Sequence, residues 1–126
     1  MPHFVLEYSS NIDKDPLALQ ALFESLHDAA VASGLFPLKG MRSRAYACND
    51  YRMADGNPDH VFVHLSVLIG AGRTLDEREA VAKTFFDVLQ QHFGALFDKR
   101  GVAMSFELRE LEAVTKYNRN NIQEYL

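Results

Sequence analysis

The 126 residues suit one domain with a core of its own, and an apolar fraction of 48% is ordinary for a globular chain. A net charge of −4 with no basic stripe argues against a nucleic-acid partner, and no run of about eighteen apolar residues is available to cross a membrane. No signal-peptide pattern opens the chain and the single cysteine, Cys48, can form no internal disulfide, so a cytoplasmic setting is expected.

The segment His3 to Tyr8 alternates, with Phe4, Leu6 and Tyr8 on one side and Val5, Glu7 and Ser9 on the other, and this period of two predicts a strand. A polar turn follows, in which Asp15 is expected to cap a helix and Pro16 to occupy its first position. The helix is expected to run to about Ser33, with Leu19, Leu22, Phe23, Leu26 and Ala30 on one face and Gly34 as its stop. Phe36 to Gly40 connects it to a second predicted strand, Arg42 to about Met53, which ends in the turn Ala54 to Asp59.

The pattern then repeats. Val61, Val63, Leu65, Val67 and Ile69 alternate with Phe62, His64, Ser66 and Leu68, giving a third strand. Gly70-Ala71-Gly72-Arg73 turns the chain, and Thr74 with Glu77 forms a capping box. The second helix is expected to bury Ala82, Phe85, Phe86, Leu89, Phe93, Leu96 and Phe97 and to end at Gly101, with Val102 to Leu111 as the fourth strand. The tail, Glu112 to Leu126, is expected to fold back or to reach a neighbouring subunit.

Two strand–helix–strand pseudo-repeats, about 1–56 and 57–126, therefore make up the chain. Each joins parallel strands by a crossover, so the expected fold is α/β (α+β): a four-stranded sheet with two helices on one face, in a single domain. No helix is left for the other sheet face, and association with further copies of the chain is the expected cover.

Chemistry is concentrated in few residues. Removal of Met1 would leave Pro2 as a free secondary amine at the head of an apolar strand. Burial and nearby arginines lower the pKa of such an amine, so that it can serve as base and then as acid near neutral pH. Arg42 and Arg44 follow Gly40, and Arg73 follows Gly70-Ala71-Gly72; guanidinium forks so placed suit a local carboxylate site. Arg42 and Arg44 are expected to point to opposite sheet faces, Arg44 and Phe36 being candidates for substrate contact. The five histidines show no metal-ligand spacing, and His3 and His64 read as packed or interface residues. The glycine turn lacks a phosphate-loop lysine and a dinucleotide fingerprint.

With Pro2-His3-Phe4, Gly34-Leu35-Phe36-Pro37-Leu38, Gly40-Met41-Arg42-Ser43-Arg44, Met53-Ala54-Asp55-Gly56, Phe62-Val63-His64, Ile69-Gly70-Ala71-Gly72-Arg73, His92-Phe93, Ser105-Phe106-Glu107 and Asn120-Asn121 in order, the chain resembles the tautomerase superfamily. Within it, the resemblance is to the 5-carboxymethyl-2-hydroxymuconate isomerase family. The resemblance implies a homotrimer that needs no metal or organic cofactor. It also implies isomerisation of a dienol tricarboxylate to its unsaturated ketone in bacterial homoprotocatechuate (4-hydroxyphenylacetate) degradation. On this resemblance Pro2 carries the proton from the 2-hydroxyl side to carbon, while Arg73 and Arg42 hold carboxylates and polarise the carbonyl. Arg73 stands where short tautomerases carry a catalytic arginine, and the first repeat has Ser10-Asn11-Ile12-Asp13 at that place. One repeat thus supplies the base, the other the arginine, and one kind of site per chain is expected. A tautomerase of another enol acid, and a non-catalytic trimer that binds a carboxylate or a protein, are the alternatives.

Overall fold

The computed structural model describes residues 1–126. Strand β1 (His3–Ser9) leads through a single turn, α1 (Lys14–Leu17), to helix α2 (Leu19–Ala32) and strand β2 (Arg42–Cys48). Strand β3 (Val61–Ile69), helix α3 (Leu75–Phe93) and strand β4 (Val102–Glu110) repeat the arrangement. The sheet order is β2-β1-β3-β4. Strands β1 and β2 pair in parallel, as do β3 and β4, and the two units meet antiparallel through β1 and β3. The expected four-stranded sheet with two main helices is thus the observed one.

Strand alternation decides which face the helices cover. Phe4 and Leu6 of β1 and Val61, Val63, Leu65, Val67 and Ile69 of β3 are buried with Leu22, Leu26 and Ala30 of α2. Val81, Phe85, Leu89 and Phe93 of α3 complete the stripe, and Phe4 meets Phe85 edge to face at 5.1 Å between ring centroids. Each of the Val, Leu, Ile and Phe side chains among them stabilises the fold by about 1.5–3 kcal/mol on full burial. The opposite face carries His3, Val5 and Glu7 beside Arg42, Arg44 and Tyr46, with His64, Ser105 and Glu107 further across, and no helix lies on it.

Three boundaries differ from those expected. The first helix is broken at Ala18, whose φ of 34° is left-handed. Asp13 rather than Asp15 takes the N-cap position, and Pro16 stands third in the turn, where its missing N–H is still not needed. The break turns Leu17 into the core, and no glycine marks it in the sequence. Strand β2 stops at Cys48 instead of continuing to Met53, because its partner β1 ends at the paired Ser9. In α3 the buried stripe starts at Val81, so Ala82 and Phe86 flank it, half-buried. The helix tightens to a 3-10 turn over Gly94–Asp98, short of Gly101, which leaves Leu96 buried and Phe97 52% exposed.

Candidate active site

The register of the sheet assembles the site from distant residues. His3 of β1 faces Leu68 of β3, so the buried Pro2 sits at the end of β3, where the chain turns through Gly70 to Arg73. On its other side β1 pairs with β2, and the Arg42 N–H donates to the Pro2 carbonyl at 3.2 Å. The antiparallel join of the repeats is therefore what sets a proline at the head of one repeat beside an arginine at the head of the other repeat's helix.

Arg73 is held by groups of the protein itself. Its Nη1 donates to the Gly70 carbonyl at 3.1 Å and its Nη2 to the Leu35 carbonyl at 2.7 Å. The guanidinium carbon lies 4.4 Å above the ring of Phe36, which is itself buried and packs on Phe85. Phe36 thus acts as the platform under Arg73. Two of the five guanidinium N–H groups are used in this way, and three remain to meet an anion. Directly after it, Thr74 and Glu77 close the capping box at 3.0 and 3.1 Å and start α3.

Arg42 and Arg44 share a face of the sheet, contrary to the expectation that they diverge. Residues two apart on a strand point the same way. Arg42 Nη1 lies 3.1 Å from His3 Nε2 and Arg44 Nη1 3.1 Å from His3 Nδ1. A neutral imidazole offers one acceptor nitrogen only, so the ring satisfies one guanidinium and turns an N–H toward the other. Burial, then the charges of Arg42 and Arg44, hold His3 below the usual histidine range.

The corner around Pro2 is electropositive. Burial lowers the pKa of the Met1 amine, and Lys116, Arg73 and Arg42 lower it further, in that order. The Met1 side chain rests against Gly40. None of the ion pairs in the chain includes Arg42, Arg44, Arg73 or Lys116. Glu110, at the end of β4, instead accepts from the Gly72 N–H and pairs with Arg78.

Pro2, Arg42 and Arg73 therefore come together, with Phe36 below Arg73 and Arg44 one step further along β2. Lys116 was not foreseen: it is a lone cation in a polar tail, and no periodicity or motif singles it out. The other histidines are engaged elsewhere. His27 contacts Ser43 at 2.8 Å, His60 contacts Asp55 at 3.0 Å, His64 contacts Ser105 at 2.6 Å, and His92 contacts the Leu17 carbonyl at 2.8 Å. No three His, Cys, Asp or Glu side chains converge as a metal site would require, and no helix is long and apolar enough to cross a membrane.

Comparison with known proteins identifies the family of the chain. Residues 2–126 match the family model described as 5-carboxymethyl-2-hydroxymuconate isomerase. The chain is 39% identical over 122 residues to the 5-carboxymethyl-2-hydroxymuconate Delta-isomerase of Escherichia coli, covering 97% of this chain and 96% of that one. The crystal structure of a 5-carboxymethyl-2-hydroxymuconate isomerase from Deinococcus radiodurans R1 superposes with a TM-score of 0.91 at 36% identity, over 98% of this chain and 92% of that one. A macrophage migration inhibitory factor-like protein from Entamoeba histolytica shares the fold, with a TM-score of 0.61 at 12% identity over 93% and 95% of the two chains.

Proposed function

The chain belongs to the 5-carboxymethyl-2-hydroxymuconate isomerase family, and on that premise we propose that it isomerises this dienol tricarboxylate through the amine of Pro2. The observation that carries the reading is the convergence of the chain start with Arg42 and Arg73, neither of them paired to an acid. Once Met1 is removed, the Pro2 nitrogen inherits the burial and positive field that lower the pKa of the Met1 amine, and both favour its neutral, basic form. It takes the proton of the 2-hydroxyl group, the O–H electron pair becomes the carbonyl, and the double bonds shift along the diene. The prolinium then returns the proton to the carbon at the far end of the conjugated system. Atoms and charge balance without a cofactor, because the same proton leaves oxygen and arrives on carbon. Arg73 and Arg42 bind carboxylates and stabilise the dienolate charge as it develops.

The uncovered sheet face supports association with further copies of the chain, for which we propose a homotrimer, and homoprotocatechuate degradation is the pathway proposed for the reaction. Intact mass separates chains with and without Met1. Turnover, followed as loss of dienol absorbance, is expected to track the fraction lacking Met1, and Pro2→Ala is expected to lose about 100-fold or more in kcat. Full turnover by a preparation that retains Met1 would overturn the amine mechanism.

A further inference from the structure

The third cation at the Pro2 corner comes from outside both repeats. Lys116 lies in the stretch that follows β4, which has no regular structure before Ile122. Anchors on both sides steer it. The Leu111 N–H donates to the Ile69 carbonyl at 2.7 Å, continuing the sheet by one bond. Asn120 Nδ2 donates to the Lys39 carbonyl at 2.8 Å, while its Oδ1 accepts from the Ile122 N–H at 2.8 Å. Between these points the chain passes the Gly70 corner. Lys116 Nζ lies 3.4 Å from the point a Cβ on Gly70 would occupy, and Arg73 Nη1 lies 4.0 Å from the same point.

A lysine head on a flexible stem, on an exposed segment, gains nothing by standing beside a guanidinium in the bare protein. Both charged ends lie within 4.0 Å of one point, and like charges held so near each other repel. No carboxylate of the chain forms an ion pair with either group. An anionic ligand of high charge relieves the repulsion. A cleft of about 370 Å3, walled by Lys39, Arg42, Arg119 and Asn121 among others, lies on the Arg42 side of the corner.

We infer that Lys116, carried on the C-terminal strap, is the cation that receives the third carboxylate of the substrate and so selects tricarboxylate over dicarboxylate dienols. The inference deepens the reading given above and rests on it: muconate has two carboxylates, matched by Arg42 and Arg73, and the carboxymethyl substituent adds another.

Binding of two unreactive probes tests it without relying on turnover. Tricarballylate has three carboxylates and glutarate two. By titration calorimetry at low salt, Lys116→Gln is expected to raise the Kd for tricarballylate about 10- to 100-fold and that for glutarate about tenfold less. Lys116→Arg restores most of the tricarballylate affinity, and Lys83→Gln, which removes the same charge from a remote surface pair with Asp87, changes neither Kd. With the dienol tricarboxylate, the Lys116→Gln loss is expected in KM more than in kcat. Equal losses for both probes, no loss, or no tricarballylate binding by the unaltered protein overturns the inference. Lys116-dependent binding by a protein that turns over no dienol instead overturns the proposed reaction and leaves this subsite standing.

Discussion

Arg73 offers the most direct test, since one side chain is asked both to hold the fold locally and to meet the substrate. Arg73→Ala removes two hydrogen bonds to backbone carbonyls, at 3.1 and 2.7 Å, and a guanidinium 4.4 Å above Phe36. The site is only partly buried, so each bond is taken at about 1 kcal/mol, below the range for fully buried charged bonds, and the stacking at about 0.5–1 kcal/mol. The sum, about 2–3 kcal/mol, corresponds to a Tm lower by roughly 6–15 °C for a chain of this length. Turnover is expected to fall about 100- to 1,000-fold, the usual effect of deleting one donor to a developing oxyanion. Arg73→Lys separates the two roles. An ammonium restores the charge but cannot bond Gly70 and Leu35 together while stacking flat on Phe36, so part of the stability returns and most of the turnover does not. Calorimetric melting and the dienol assay, run on all three proteins at one pH, give both numbers. A full turnover rate in Arg73→Ala at a temperature well below its Tm would refute the assignment, and an unchanged Tm would refute the structural half of the argument.

Two further outcomes follow from other parts of the molecule. His3 and His27 are both held below the ordinary histidine value of 6.5, chiefly by burial, with Arg42 and Arg44 adding to the effect at His3. The unfolded chain binds protons at these rings as the pH falls through that value, and the folded chain binds them only at lower pH. Stability is therefore expected to drop from pH 7 to pH 5 in thermal melts, and a double His3→Gln, His27→Gln variant should flatten that slope; an unchanged slope would be evidence against it. On the uncovered sheet face, Tyr46 is 56% exposed in the single chain, and Tyr46→Glu is expected to convert a trimer into monomers in sedimentation velocity. A wild-type protein that sediments as a monomer would exclude the proposed assembly.

The strands and the two-repeat plan were legible because period-two alternation and glycine turns are local signals, and Val61 to Ile69 carries both in full. What escaped depends on partners. The end of β2 is set by where β1 stops, and the kink at Ala18 by the need to turn Leu17 inward; neither leaves a mark on its own residues. At the site, Pro2, Arg42 and Arg73 stood out because each begins or follows a recognisable element. The period of a strand puts Arg42 and Arg44 on one face, so their expected divergence misapplied a local rule, and their common contact with His3 is the result. Lys116 was illegible for a deeper reason. Its place is fixed by tethers at Leu111 and Asn120, made to residues more than forty positions away, and no short window contains them.

The internal repeat also explains why the chain holds one such corner and not two. By the antiparallel symmetry of β1 and β3, the counterpart of the Pro2 corner lies where β3 begins, beside the end of β1. There the nitrogen is the peptide N–H of Val61, which donates to the Gly101 carbonyl at 2.9 Å and has no basicity to offer. The place of Arg73 is taken by the Asn11 region, and Asn11 Nδ2 donates to the carbonyls of Pro58 and His60 at 3.0 and 2.8 Å. Arg100 reaches into the same corner, but it donates to the carbonyls of Asp59 and Asn11 at 2.8 and 2.9 Å. Every polar contact named here joins the β3 entry to the protein itself. At the Pro2 corner stand instead the Met1 amine and guanidinium groups with unused donors. The two halves share a backbone plan and differ in whether their polar groups face the chain or face outward. That difference turns one junction into a joint and leaves the other available for a ligand.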